Sequence, residues 1–271
     1  MAESVKGARS TSIDPLVELI ETLRGKNGCP WDKKQTPGSM ARYLIEEAYE
    51  LVDAILANNA QDICEEAGDV LFQILFIINL FKENGHFDYQ DVIEKNVKKM
   101  IHRHPHVFGD VKAETAELVS QNWQKIKSAE KGNNPCESVL DSVPRNMTAL
   151  IRAGLISERA AKTGFDWDDI SGVMEKTMEE WEEFSGEVTP NMHLADKAKA
   201  TMEFGDILFS MVNVARFAGI NPEIALLQSI QKFEKRFRYI EAQADESGRI
   251  IDDLTFKEMH QLWDEAKEKI G

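Results

Sequence analysis

An all-α chain of two tandem helical domains is the fold class this 271-residue sequence predicts. Three observations predict it. Apolar residues recur at helical spacing, no stretch alternates Val, Ile and Thr as a strand requires, and one acidic helix-pair pattern occurs twice.

The elements follow in order. Over 40–56 the apolar residues Leu44, Ala48, Leu51, Val52 and Ile55 form one stripe, which predicts a helix. Residues 61–83 read as a longer and largely buried helix, stopped near Asn84-Gly85. Its segment 70–81 is apolar nearly all round, interrupted by Gln73 and Asn79. That segment is too short for a bilayer, which needs about 20 residues, and suits a bundle completed by a second subunit. A third helix is expected over 89–102, ended by the region of Pro105. Residues 128–144 hold Gly132, Asn133, Asn134, Pro135, Ser138, Ser142 and Pro144, a turn and linker composition. The expected organisation is therefore a domain at 1–127, a linker at 128–145 and a second domain at 146–271.

Composition narrows the function. With 32 Lys and Arg against 47 Asp and Glu, the net charge is -15. General nucleic-acid binding relies on cations that neutralise phosphates, so it is not expected here. Cys29, Cys64 and Cys136 are far apart and form no zinc or disulfide pattern, which fits a reducing compartment. Residues 1–12 are small and polar, unlike a signal peptide. A soluble, cytoplasmic protein without membrane partners is the expectation.

The two halves are related. At a shift of 137 positions, Glu66-Ala-Gly-Asp69-Val-Leu-Phe meets Glu203-Phe-Gly-Asp206-Ile-Leu-Phe. Lys95 meets Lys232 and Lys99 meets Arg236 at that same shift. Upstream, Glu46-Glu47-Ala-Tyr-Glu50 meets Glu179-Glu180-Trp-Glu-Glu183 at a shift of 133. Downstream, Trp123 and Lys127 meet Trp263 and Lys267 at a shift of 140. Core packing does not demand charged residues at fixed offsets, so the pattern reads as two copies of one domain.

The repeated acids have a definite geometry. Residues three apart share a helix face, so Glu47 projects with Glu50, and Glu66 with Asp69. If these helices pack antiparallel, the four carboxylates converge. Glu180, Glu183, Glu203 and Asp206 repeat the arrangement. Converging carboxylates repel, and a hard divalent cation relieves this. The all-oxygen set favours Mg²⁺, with Mn²⁺ as a substitute, over zinc. Asp69 and Asp206 run into apolar sequence and are expected beside a core. Lys95 with Lys99, and Lys232 with Arg236, each share a face suited to a polyphosphate. Trp123 with Lys127, and Trp263 with Lys267, pair a stacking surface with a cation, although core packing explains the Trp residues equally well. The string His102-Arg-His104-Pro-His106 has no counterpart in the second half and reads as a local structural feature. Turns at Cys29-Pro-Trp31-Asp32 and Phe165-Asp-Trp167-Asp168 each read as anchoring a Trp.

Four segments together resemble the MazG family, nucleoside triphosphate pyrophosphohydrolases of the all-α NTP pyrophosphatase superfamily. They are Lys26-Asn-Gly-Cys-Pro-Trp-Asp-Lys-Lys-Gln-Thr36, Tyr43-Leu-Ile-Glu-Glu-Ala-Tyr-Glu50, Glu65-Glu-Ala-Gly-Asp69 and His102-Arg-His-Pro-His-Val-Phe108. The resemblance implies tandem MazG-like domains, a homodimer, and Mg²⁺-dependent cleavage of NTPs to NMP and pyrophosphate. It implies metal ligands at Glu47, Glu50, Glu66 and Asp69, and at Glu180, Glu183, Glu203 and Asp206. It also implies ligand contacts at Lys232, Arg236, Trp263 and Lys267.

The expected reaction is water attack at the α-phosphorus. Glu46 or Glu179, adjacent to the metal ligands, is the expected base that positions the water, and Lys and Arg offset charge on departing pyrophosphate. Two alternatives stand beside this reading: a non-catalytic Mg-nucleotide regulatory module, and a narrow dCTP or dUTP pyrophosphatase.

Overall fold

The structure, a computed structural model, describes residues 12–130, 138–189, 191 and 193–270. It divides into two units, Met1–Asn134 and Pro135–Gly271. The first comprises α1 (Asp14–Arg24), α2 (Pro37–Ala57), α3 (Ala60–Glu83), α4 (Tyr89–Arg103), the short α5 (Pro105–Phe108) and α6 (Ala116–Glu130). The second comprises α7 (Ala149–Ala161), α8 (Ile170–Gly186), α9 (Lys197–Phe217), α10 (Pro222–Glu246) and α11 (Phe256–Ile270). Short 3-10 turns lie at Asp32–Lys34, Val139–Ser142 and Ile251–Asp253. Among the described residues there is no strand, only an isolated bridge between Val188 and Leu194.

The described ends of the expected linker hold short regular elements. Helix α6 continues to Glu130, and Val139–Ser142 is a turn closed by a Ser138–Asp141 capping box, followed by the buried Val143. The Gly- and Asn-rich centre at 131–137 lies outside the described residues, as do residues 1–11.

In the first unit, α2 begins with a Thr36–Ser39 capping box and Pro37 in its first turn. It ends at Asn58, whose left-handed conformation (φ 54°) turns the chain back. Asn59 then caps α3. A connection this short makes α2 and α3 an antiparallel pair. The C-terminal half of α3 buries Leu75, Phe76, Ile78 and Leu80 with Ile20 of α1 and Met40 of α2. Arg24, at the end of α1, holds this corner. It makes two bonds to Glu83 (2.7 and 2.6 Å) and one to the Asp32 carbonyl (2.5 Å), tying the 32–34 turn to the end of α3.

The second unit repeats this plan with α8 and α9 as the antiparallel pair. Asp169 and Asp196 cap their N-termini. Val173, Ala200, Ile207 and Val212 are buried along them. A separate cluster of Ile240, Ala244 and Leu254 joins α10 to α11, with Phe237 and Trp263 packed against it.

Candidate functional site

The α2–α3 turn sets the first carboxylate cluster. Glu50 stands eight residues before Asn58 and Glu66 seven after Asn59, while Glu47 stands eleven before and Asp69 ten after. At about 1.5 Å per residue, these pairs are level across an antiparallel hairpin. Carboxylate oxygens of Glu47, Glu66 and Asp69 lie within 4.8 Å of one another. Glu50 acts on Glu47 and Glu66 from slightly farther off. Burial, then Asp69 and Glu50, push the Glu47 carboxyl above its ordinary range, and a bond from Gln73 Nε2 (3.3 Å) opposes that shift. Burial, then Glu50 and Asp69, raise Glu66. One Glu66 oxygen, Oε2, is buried with no hydrogen-bond partner.

In the second unit, oxygens of Glu180, Glu183 and Glu203 lie within 4.8 Å, and Asp206 acts on Glu203 from beside them. Burial and the neighbouring Glu183 raise the Glu203 carboxyl, while Lys199 opposes the shift. The two units thus draw different triads from equivalent quartets. Asp69 belongs to the first, whereas Glu183, the counterpart of Glu50, belongs to the second.

Asp69 and Asp206 depart from expectation, because both are exposed rather than set against a core. In α3 the buried residues begin at Gln73, and in α9 the buried Ile207 follows Asp206 directly, about 100° further round the helix. The two Trp turns also differ from each other. Trp167 Cδ1 stands 3.2 Å from the position of a Cβ at Gly172, so the ring lies against the first turn of α8. Trp31 is half exposed and meets Tyr43 edge-on at 5.7 Å, and the buried residue of that turn is Asp32.

The remaining predicted residues sit on two further helix pairs. Lys95 and Lys99 are exposed on α4, and Trp123 and Lys127 lie on the packed α6. Trp123 is covered by the Arg103 guanidinium (5.3 Å) and the His104 ring (5.0 Å), which gives the His string its structural role. Arg103 pairs in turn with Glu130 at 2.5 Å, and Lys99 also acts on Glu130. In the second unit, Arg236 on α10 lies 5.6 Å over Trp263 of α11, with Phe233 at 5.1 Å. The Arg236 Nε is buried without a partner, and Lys267 is paired to Asp264 at 2.5 Å. Lys232 is exposed one turn before Arg236. No ion pair among the described residues joins Lys95, Lys99, Lys232 or Arg236 to either carboxylate cluster.

Two cations beside the second cluster are missed by sequence reasoning. Lys176 Nζ lies 2.9 Å from both Glu179 and Glu180, and these acids raise its pKa. Lys199 Nζ lies 2.5 Å from Glu187 and acts on Glu203. Both lysines precede an acid of the quartet by four residues, a spacing readable in the sequence. Glu46 is likewise held by Arg42 at 2.7 Å.

The twice-repeated antiparallel helix pair with clustered carboxylates occurs in a chain whose relatives put it in the class of all-α nucleotide pyrophosphohydrolases. The chain belongs to the MazG family of nucleoside triphosphate pyrophosphohydrolases. The family model described as the MazG nucleotide pyrophosphohydrolase domain matches residues 35–108. The nucleoside triphosphate pyrophosphohydrolase of Escherichia coli K12 is 39% identical over 258 residues, covering 95% of this chain and 97% of its own length. The Thermotoga maritima nucleoside triphosphate pyrophosphohydrolase/pyrophosphatase MazG is 39% identical over 254 residues, 94% of this chain and 95% of its own. An uncharacterized Bacillus subtilis protein, YabN, is 48% identical over 250 residues, covering 92% of this chain but 50% of its own length.

Proposed function

We propose that this chain hydrolyses nucleoside triphosphates to NMP and pyrophosphate with Mg²⁺, by water attack at the α-phosphorus. The observation that carries the reading is the pair of carboxylate clusters. Each sets three oxygens within 4.8 Å on facing helices, and one of the clusters contains a buried oxygen with no partner. Such crowding of like charge fits a hard divalent ion with oxygen ligands. Glu47, Glu66 and Asp69 with Glu50, and Glu180, Glu183 and Glu203 with Asp206, are the residues that would hold it. The ion supplies polarisation of a phosphoryl oxygen and a lowered pKa for a bound water.

The chain's own residues do the rest. Arg42 and Lys176 hold Glu46 and Glu179 beside the clusters as carboxylates able to accept a proton from the attacking water. Lys176 and Lys199 are the cations nearest the second cluster and fit the phosphates of a triphosphate. Lys232 and Arg236 add charge on α10, and Trp263 offers a ring for the base. In the first unit Lys95, Lys99, Trp123 and Lys127 hold the equivalent positions.

A homodimer in the cytoplasm belongs to the same reading. Large apolar residues stay exposed at helical spacing within each unit: Ile45 and Tyr49 on α2, Leu71 and Ile74 on α3, and Phe204, Leu208 and Met211 on α9. A second copy of the chain would cover such faces. No helix among the described residues is long and apolar enough to cross a membrane.

The test is pyrophosphate release from a panel of NTPs and dNTPs with Mg²⁺, comparing wild type with Glu50→Gln, Glu183→Gln and the double variant. Loss of about 10²-fold or more in the double variant is expected for removal of metal ligands. Nucleotide binding without any pyrophosphate release by wild type would overturn the proposal and leave a nucleotide-binding module.

A further inference from the structure

The two carboxylate clusters differ in how their charge is balanced within the chain. In the second unit Lys176 lies 2.9 Å from Glu180, which is buried, and Lys199 acts on Glu203. At the equivalent positions of the first unit stand Tyr43, at the shift of 133, and Asp62, at the shift of 137. The groups acting most strongly on Glu47 and Glu66 are other carboxylates and Gln73, with no cation among them. Among the described residues the amide of Gln73 is the one hydrogen-bond partner of Glu47, and its own Oε1 is buried without a partner. The first cluster therefore carries unbalanced negative charge, whereas the second already has an ammonium group in contact.

We propose that the clusters load divalent cation by different rules. The first takes the ion without substrate. In the second, Lys176 stands in for part of the ion's charge and leaves Glu180 when a triphosphate offers it phosphate oxygens instead. Lys176 thereby acts as a positioning residue that couples metal loading to substrate arrival, so that the second unit takes metal and nucleotide together. This inference rests on the reading of the clusters as metal sites given above.

The coupling is electrostatic and involves one movable side chain. A cation in contact with a carboxylate competes with a second cation for the same oxygens, and opposite charges at this range bias a carboxylate by about one to three pKa units. Lys176 sits on the same helix as Glu180, one turn away, and its side chain is about one-third exposed. It can therefore swing to a phosphate without unfolding α8.

The experiment is Mn²⁺ titration of the full chain, read by the free-ion electron paramagnetic resonance signal, with no nucleotide present. Wild type should show one tight Mn²⁺ class per chain, removed by Glu47→Gln with Glu66→Gln and unaffected by Glu180→Gln. Lys176→Met should add a second class, bound about tenfold or more tightly than the second cluster binds it in wild type. Lys176→Arg, which keeps the charge, should not. A non-hydrolysable α,β-methylene triphosphate should bring the second class into wild type. Two equal classes in wild type without nucleotide, or no change on Lys176→Met, would overturn this inference while leaving the metal reading intact. No Mn²⁺ binding by any variant, with or without the analogue, would overturn both.

Discussion

Glu66 is a side chain whose charge is costly to fold unless a cation accompanies it. Its carboxyl is raised by burial and by Glu50 and Asp69, so at neutral pH its charge opposes folding. A carboxylate raised in the folded state binds more protons folded than unfolded, so the folded state gains stability as pH falls through the raised value, and this gain levels off below the unfolded value. In buffer containing a chelator, Glu66→Gln should raise the thermal midpoint at pH 7. That advantage should shrink as pH falls to about 4.5, the ordinary glutamate value. With Mg²⁺ present the order should reverse, because the wild-type carboxylate then has a cation to bind. A variant that is less stable than wild type in chelator at pH 7 would contradict the account of this residue. The fourth member of each quartet was legible in sequence as a same-face acid. Which three come within touching distance was not, because that depends on the relative rotation and height of the two helices.

The helices that carry the first carboxylate cluster and Lys95 and Lys99 were the easiest elements to read. Helices α2, α3 and α4 begin and end within a few residues of their expected bounds, because Thr36, Asn59 and Asp88 cap them and Asn58 and Gly85 turn the chain at their ends. The contacts that balance the second cluster were less legible. Lys199 reaches Glu187 across the whole connection between α8 and α9, and periodicity cannot report that closure. Packing within the expected linker was hidden for a related reason. Ser138 and Pro144 signal turns, but here the turn is packed, with Val143 buried. The α2–α3 connection is the element on which the first cluster depends most. Its Asn58 holds a left-handed backbone that a β-branched residue resists by about 1–2 kcal/mol. Asn58→Val should therefore destabilise the chain by about that amount and weaken divalent-ion binding by the first unit. Asn58→Gly should do neither, as chemical denaturation and metal titration can check.

For the whole molecule, duplication was the most informative fact in the sequence, because it turned weak acidic motifs into a repeated constellation. The two units keep the same helix order around different charge balances: Gln73 beside Glu47 in one, Lys176 beside Glu180 in the other. Apolar faces remain exposed on the helix pairs of both units, which sets a prediction at this scale. Light scattering should give a particle of twice the 30.7 kDa chain mass. Replacing Phe204 and Leu208 by Asp should shift it toward the single-chain mass, and a wild-type monomer at micromolar concentration would remove the second copy from the account. Hydrolysis of a nucleoside triphosphate in ¹⁸O-labelled water with Mg²⁺ reads out the position of cleavage. Attack at the α-phosphorus leaves one labelled oxygen in the nucleoside monophosphate and none in the pyrophosphate. Label in pyrophosphate, or release of orthophosphate in its place, would contradict attack at the α-phosphorus.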